Sequence, residues 1–149
     1  MSLSEQIMEA MKTAMKSKDT LSLQALLSVK AAILLAQTES GAKQTLSETE
    51  ELKLLQKLVK QRKDSAVIFS EQGRTDLADP EIAEAKVIEA FLPEQMSEEE
   101  VAKIIDEIIA QTGAASMKDM GKVMGMANGK LAGKADGKTI STIIKQRLS

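Results

Sequence analysis

Apolar residues recur along most of this chain at three- and four-residue intervals, the period of one helix face rather than the alternation of a strand. Ile7, Met11 and Met15 form the first such stripe. Ser2-Leu3-Ser4-Glu5 ahead of it has the form of a capping box, in which a serine oxygen accepts a free backbone N–H and Glu5 reaches back to the cap. The stripe ends near Ser17. After Lys18-Asp19-Thr20, a second helix carries Leu23, Leu26, Leu27, Lys30 and Ile33-Leu34 and stops before Gly41. Ser47-Glu48-Thr49-Glu50 is another capping box, opening a long third helix with Leu52, Leu55, Val59, Ala66 and Phe69 on its stripe and Gly73 at its close.

Asp79-Pro80-Glu81 reads as an N-cap followed by proline at the first helical position, where a missing N–H does no harm; a start a few residues earlier also fits. This fourth helix runs through Ile82, Ala85, Ile88 and Phe91 to Leu92, and Pro93 ends it. Ser97-Glu98-Glu99-Glu100 announces the fifth, with three acids where the helix dipole favours them. Val101, Ile104, Ile105, Ile108 and Ile109 form its apolar face, and Gly113 its C-cap. Two short helices complete the pattern. One starts at Ser116-Met117-Lys118-Asp119 and covers Met120, Val123 and Met124; the other starts near Asp136 and covers Ile140, Ile143, Ile144 and Leu148. The expected fold is all-α, with a hinge at Phe91-Leu92-Pro93-Glu94-Gln95. A helical N-terminal domain of about four helices (residues 1–93) precedes a small three-helix C-terminal domain (residues 94–149).

Composition narrows the chemistry. Phe69 and Phe91 are the only aromatic residues, so the core must be built from Leu, Ile, Val, Met and Ala. Those residues suit helix-on-helix packing. With no Cys and no His, the chain lacks thiolate nucleophiles, soft zinc ligands and imidazole acid–base groups. No calcium-loop pattern occurs either, so neither a metal, a cofactor nor independent catalysis is expected. The N-terminal segment has early acids (Glu5, Glu9) and reads as neither a signal nor a transit peptide. No stretch is expected to approach the roughly 18 apolar residues of a membrane span. A cytoplasmic location without a membrane partner is the default expectation.

Charge is unevenly spread. Residues 114–149 hold Lys118, Lys122, Lys130, Lys134, Lys138, Lys145 and Arg147 against Asp119 and Asp136, a net +5, which leaves −7 for residues 1–113. An acidic body with a basic tail points to an anionic partner for the tail. The same quarter carries Gly121, Gly125, Gly129, Gly133 and Gly137, spaced four apart, and all but Gly125 are followed by lysine. A glycine within a helix costs about 1 kcal/mol relative to alanine. The spacing therefore implies that something comes close to the backbone: a packed helix or an anionic chain. Asn128-Gly129 and Asp136-Gly137 read as turn-forming pairs, so that the lysines gather around a loop and two helix ends. The lysines exclude a membrane GxxxG helix, and no Gly-x-x-x-x-Gly-Lys-Ser/Thr loop is present. A second basic run, Lys57, Lys60, Arg62 and Lys63, reads as a solvated face paired with acids such as Asp64. Met8, Met11, Met15, Met117, Met120 and Met124 read as core filler.

Four segments in this order resemble the YqeY family, which is related to the C-terminal tail of the B subunit of glutamine-dependent tRNA amidotransferase (GatB). They are Val59-Lys60-Gln61-Arg62-Lys63-Asp64-Ser65, Phe91 to Glu100, Met120-Gly121-Lys122-Val123-Met124-Gly125, and Gly133-Lys134-Ala135-Asp136-Gly137. The amidotransferase tail reads Gly-Lys-Ala-Asn-Pro at the last of these. The resemblance implies helical N- and C-terminal domains and, for the tail, a part in holding tRNA. It marks Gly121, Lys122, Gly133, Lys134 and the helix after Asp136 as RNA-facing. With the lysines of the basic tail, the candidate RNA-binding set is Lys118, Gly121, Lys122, Lys130, Gly133, Lys134, Lys138 and Lys145. The function expected is that of a non-catalytic tRNA-binding or tRNA-enzyme accessory protein, its partner tRNA or another structured RNA. Alternatives are a protein–protein adaptor docking on a tRNA-dependent amidotransferase or synthetase, and a component with inherited carbon–nitrogen ligase activity using glutamine as amido-N-donor.

Overall fold

The computed structural model describes residues 2–39 and 45–149, and among them the secondary structure is wholly helical. The helices are α1 (Leu3–Ser17), α2 (Thr20–Thr38), α3 (Glu48–Glu71), α4 (Thr75–Glu89), α5 (Glu98–Thr112), α6 (Met120–Lys130) and α7 (Gly137–Leu148). A single 3₁₀ turn, Met117–Asp119, leads into α6. The backbone falls into two compact units, Met1–Leu92 and Pro93–Ser149.

In the first unit, α3 and α4 pack along each other most extensively, and α2 lies against both α1 and α4. Ile7, Leu26, Val29, Leu55, Val59 and Ile88 are the heart of its core. In the second, α5, α6 and α7 pack pairwise around Val101, Ile105, Ile108, Val123, Leu131, Ile140 and Ile144. Both cores are aliphatic, as two phenylalanines require.

Local signals set most helix ends. Ser2 accepts from Glu5 N–H while its own N–H donates to Glu5 Oε2, and Ser47 and Glu50 repeat the arrangement at α3. Gly113 ends α5 in the left-handed region at φ 67°. Four expectations change. Helix α4 begins at Thr75, so Pro80 lies inside it rather than at its first position. Arg74 N-caps that helix without a side-chain bond, instead clasping Asp76 through two hydrogen bonds. Helix α6 continues through Asn128-Gly129 to Lys130, because Val123, Ala127 and Leu131 form a fully buried row at four-residue spacing. Met8, Met15 and Met117 are exposed rather than core filler. Finally, α2 is long and apolar enough to cross a membrane by length and composition, with Lys30 its one charge. The Gly41 stop signal lies outside the described residues.

Candidate nucleic-acid interface

Helix α6 turns its apolar row inward, so residues half a turn away face solvent. Gly121, Gly125 and Gly129 occupy that outer face and are all exposed, in a row about 12 Å long at 1.5 Å per residue. A Cβ built on any of the three would meet nothing within 4 Å. No neighbouring helix among the described residues uses the space. The packing-notch reading therefore finds no occupant inside the unit, and the bare backbone faces outward beside Lys122, which is itself exposed.

The lysines divide into places. Lys130 ends α6, Lys134 lies in the connection and Lys138 is the second residue of α7, so this turn gathers three of them. Lys118 and Lys122 stand at the opposite end of α6, and Lys145 in the last turn of α7. All six are exposed, and none makes an ion pair among the described residues. Arg147 differs: its Nε donates to Asp106 at 2.9 Å. The first unit is mixed: Lys12 pairs with Glu9, Lys60 with Asp64, Arg62 with Glu84, Lys63 with Glu89 and Arg74 with Asp76, while lysines such as Lys53 and Lys57 make no ion pair among the described residues.

The compact second unit is not basic as a whole. Helix α5 brings Glu98, Glu99, Glu100, Asp106 and Glu107, so residues 93–149 hold eight acids and eight bases. The charge is unevenly spread rather than net: five acids and Lys103 on α5, and Lys118, Lys122, Lys130, Lys134, Lys138, Lys145 and Arg147 with only Asp119 and Asp136 from there on. The two signs meet at a shallow groove of about 180 Å³ lined by Glu98, Lys138, Thr139, Thr142 and Gln146.

Gly133 stands apart from the other glycines. It is buried at φ 75°, a left-handed conformation that only glycine adopts without strain. Its carbonyl accepts from Gln95 Nε2 at 2.6 Å. The place of Gly133 among surface contacts is thus taken by a turn-forming role. Three residues on, Asp136 N-caps α7, accepting from Thr139 N–H at 2.7 Å. Gly137 is therefore the first helical residue of α7 and not part of a free turn. Nothing in the sequence marks out Gln95 beyond its place in the hinge segment.

In the other basic run, Arg62 departs from a solvated face. Its side chain is only 13% exposed, its Nη1 donates to Leu58 O at 3.3 Å, and its Nε lies 3.8 Å from Glu84 Oε2.

Helices throughout the described residues, two aliphatic cores and no strand among them define an all-α protein. A family profile described as Yqey-like protein matches residues 4–148, and the chain belongs to that family. It is also 42% identical over 73 residues to a subunit of the glutamyl-tRNA(Gln) amidotransferase of Thermococcus gammatolerans. That match covers 46% of this chain and 12% of the relative, so the chain spans a small part of the relative's length.

Proposed function

We propose that this chain is a tRNA-binding accessory protein without catalysis of its own, working in the cytoplasm beside a tRNA-dependent amidotransferase or synthetase. The outer face of α6 and the lysines of the α6–α7 turn contact RNA phosphates. One observation carries the reading: the glycines of α6 open the backbone to solvent where nothing in their own unit packs, beside lysines that make no ion pair among the described residues. A helix gives up about 0.5–1 kcal/mol at each such glycine, and close approach of a partner's backbone is the physical return. The kinship with an amidotransferase subunit supports tRNA as that partner. Both phenylalanines lie before residue 93, so the second unit has no aromatic platform for unpaired bases. Readout is of phosphate and shape rather than sequence.

The test is a titration of a tRNA at two salt concentrations with the full chain and with the Lys122→Glu plus Lys134→Glu variant. Affinity should fall with a log–log salt slope of about −0.7 to −0.9 per phosphate neutralised. The variant should bind weakly with a shallower slope. Absence of binding at low salt, or binding indifferent to both substitutions, removes the proposal.

A protein partner is favoured by a different feature. Helix α2 presents Leu27, Leu34 and Leu35 to solvent at 46%, 53% and 63% exposure. A helix apolar on every side is ordinarily covered on every side. The adaptor reading predicts that Leu34→Glu abolishes co-purification of a protein and leaves tRNA affinity unchanged.

A further inference from the structure

We infer that Gln95 is a positioning residue for the lysine turn, fixing Lys134 so that its ammonium meets RNA phosphate; this rests on the RNA-binding reading above. The turn between α6 and α7 has no regular structure to hold it. Hydrogen bonds set its conformation, and two of them reach the turn from the segment just after the boundary of the two units. The Gln95 side-chain amide donates to Pro93 O at 3.0 Å and to Gly133 O at 2.6 Å, which uses both hydrogens of that nitrogen. Met96 N–H donates to Lys134 O at 2.9 Å. Lys134 N–H donates in turn to Leu131 O at 2.9 Å.

Both backbone groups of Lys134 are thereby committed, and only its side chain is left for another molecule. Gly133, at φ 75°, supplies the reversal that makes this possible. A lysine held at the backbone loses less freedom on meeting a phosphate than one on a loose loop, because the ordering has already taken place. Gln95 is too far in sequence for its effect to be local: 38 residues separate it from Gly133. Its own side chain need not touch RNA. Gln95 thus links the hinge segment of the chain to the cationic turn, two features the sequence presents as separate.

The experiment is a double-mutant cycle on the full chain, with a tRNA transcript as probe and affinity measured from about 50 to 200 mM salt, the range over which phosphate contacts are read. Gln95→Leu keeps the bulk and removes both donors; Gln95→Glu keeps the length and turns the donor into an acceptor. Each should reduce the salt slope by about 0.7–0.9, the equivalent of one phosphate contact and the same as Lys134→Ala. Combining Gln95→Leu with Lys134→Ala should weaken binding no further than Lys134→Ala alone, the mark of residues acting through one contact. Combined with Lys145→Ala the losses should add, since Lys145 lies outside the turn. Additive losses with Lys134→Ala, or an unchanged slope in Gln95→Leu, overturn the inference while leaving RNA binding standing. A uniform loss with Lys145→Ala non-additive as well points to a loosened unit and also overturns it. If the unaltered chain binds no tRNA, the functional reading itself fails.

Discussion

Glycine does two opposite jobs within thirteen residues of this chain, and no local signal in the sequence separates them. Gly125 stands in ordinary helix with open space around it; Gly133 is buried at φ 75°. Gly125→Ala should therefore raise stability by about 0.5–1 kcal/mol, since alanine costs less backbone entropy and meets no atom. Gly133→Ala should lower it by about 1–2 kcal/mol through left-handed strain. Chemical denaturation of the two variants checks the pair; equal effects would mean that the two backbone conformations are not as described. The regular four-residue spacing hid this difference because it spans the end of a helix. Asp136 was more legible. A helix start near Asp136 is expected from the sequence, and Asp136 caps α7 there.

Elements with a chemical start signal could be read directly: the boxes at Ser2 and Ser47 and the acids after Ser97 fix three helices. Helix α4 could not, because Arg74 offers no cap oxygen and Pro80 imitates a first position from inside. Helix α2 gave no orientation, since an apolar pattern on every side does not say which residues are buried; the structure buries Ala25, Leu26, Val29 and Ile33 and leaves the adjacent Leu27 and Leu34 out. Between α3 and α4, Arg62 and Glu84 share a half-buried site at 13% and 18% exposure. Removing the acid alone leaves a charge with poor solvation, so Glu84→Ala should destabilise by about 1–3 kcal/mol. Replacing both with Arg62→Met and Glu84→Leu should recover most of that, measured by urea melts of the three variants. A double variant as unstable as the single one would show the loss to be packing rather than charge.

Helix α3 also carries an acid at odds with its site. Burial pushes the Glu51 carboxyl above its usual range, and the neighbouring Glu48 adds to it. For a raised acid the ionised form is the disfavoured one in the fold, so its penalty is present at neutral pH and vanishes as pH falls through the raised value toward the unfolded-chain value near about 4.3. Glu51→Gln should thus melt higher than the parent at pH 7 and alike at pH 4. Asp19 runs the other way. Hydrogen bonds from the Ser22 hydroxyl and N–H hold its carboxyl low, so that contribution is present at neutral pH and is lost on acidification. A Glu51→Gln advantage that persisted at pH 4 would exclude ionisation as its cause.

At the scale of the molecule, the charge asymmetry visible in the sequence dissolves and re-forms. A basic tail of 36 residues is real as composition, but folding packs it against acidic α5, and what remains is a unit of no net charge. Whether that unit is a domain depends on its core, and we propose that residues 94–149 fold alone. The buried cluster of Val101, Ile105, Ile108, Val123, Ala127, Leu131, Ile140, Ile143, Ile144 and Leu148 contains no residue from the first unit. The bonds from Gln95 and Met96 to the lysine turn also lie inside that span. At this size, with no cysteine to form a disulfide, stability is expected to be small, a few kcal/mol at most. The fragment 94–149 should accordingly unfold cooperatively in urea with a low midpoint. A fragment beginning at Ser97 keeps every fully buried residue of that cluster, but loses both pinning bonds and the half-buried Met96 at the edge of the core. It should unfold at a lower urea concentration with an unchanged m-value, since the surface buried is nearly the same. A fragment 94–149 with no cooperative transition would mean that the three helices depend on the rest of the chain, and a midpoint shared by the two fragments would mean that the hinge segment contributes nothing to holding the turn.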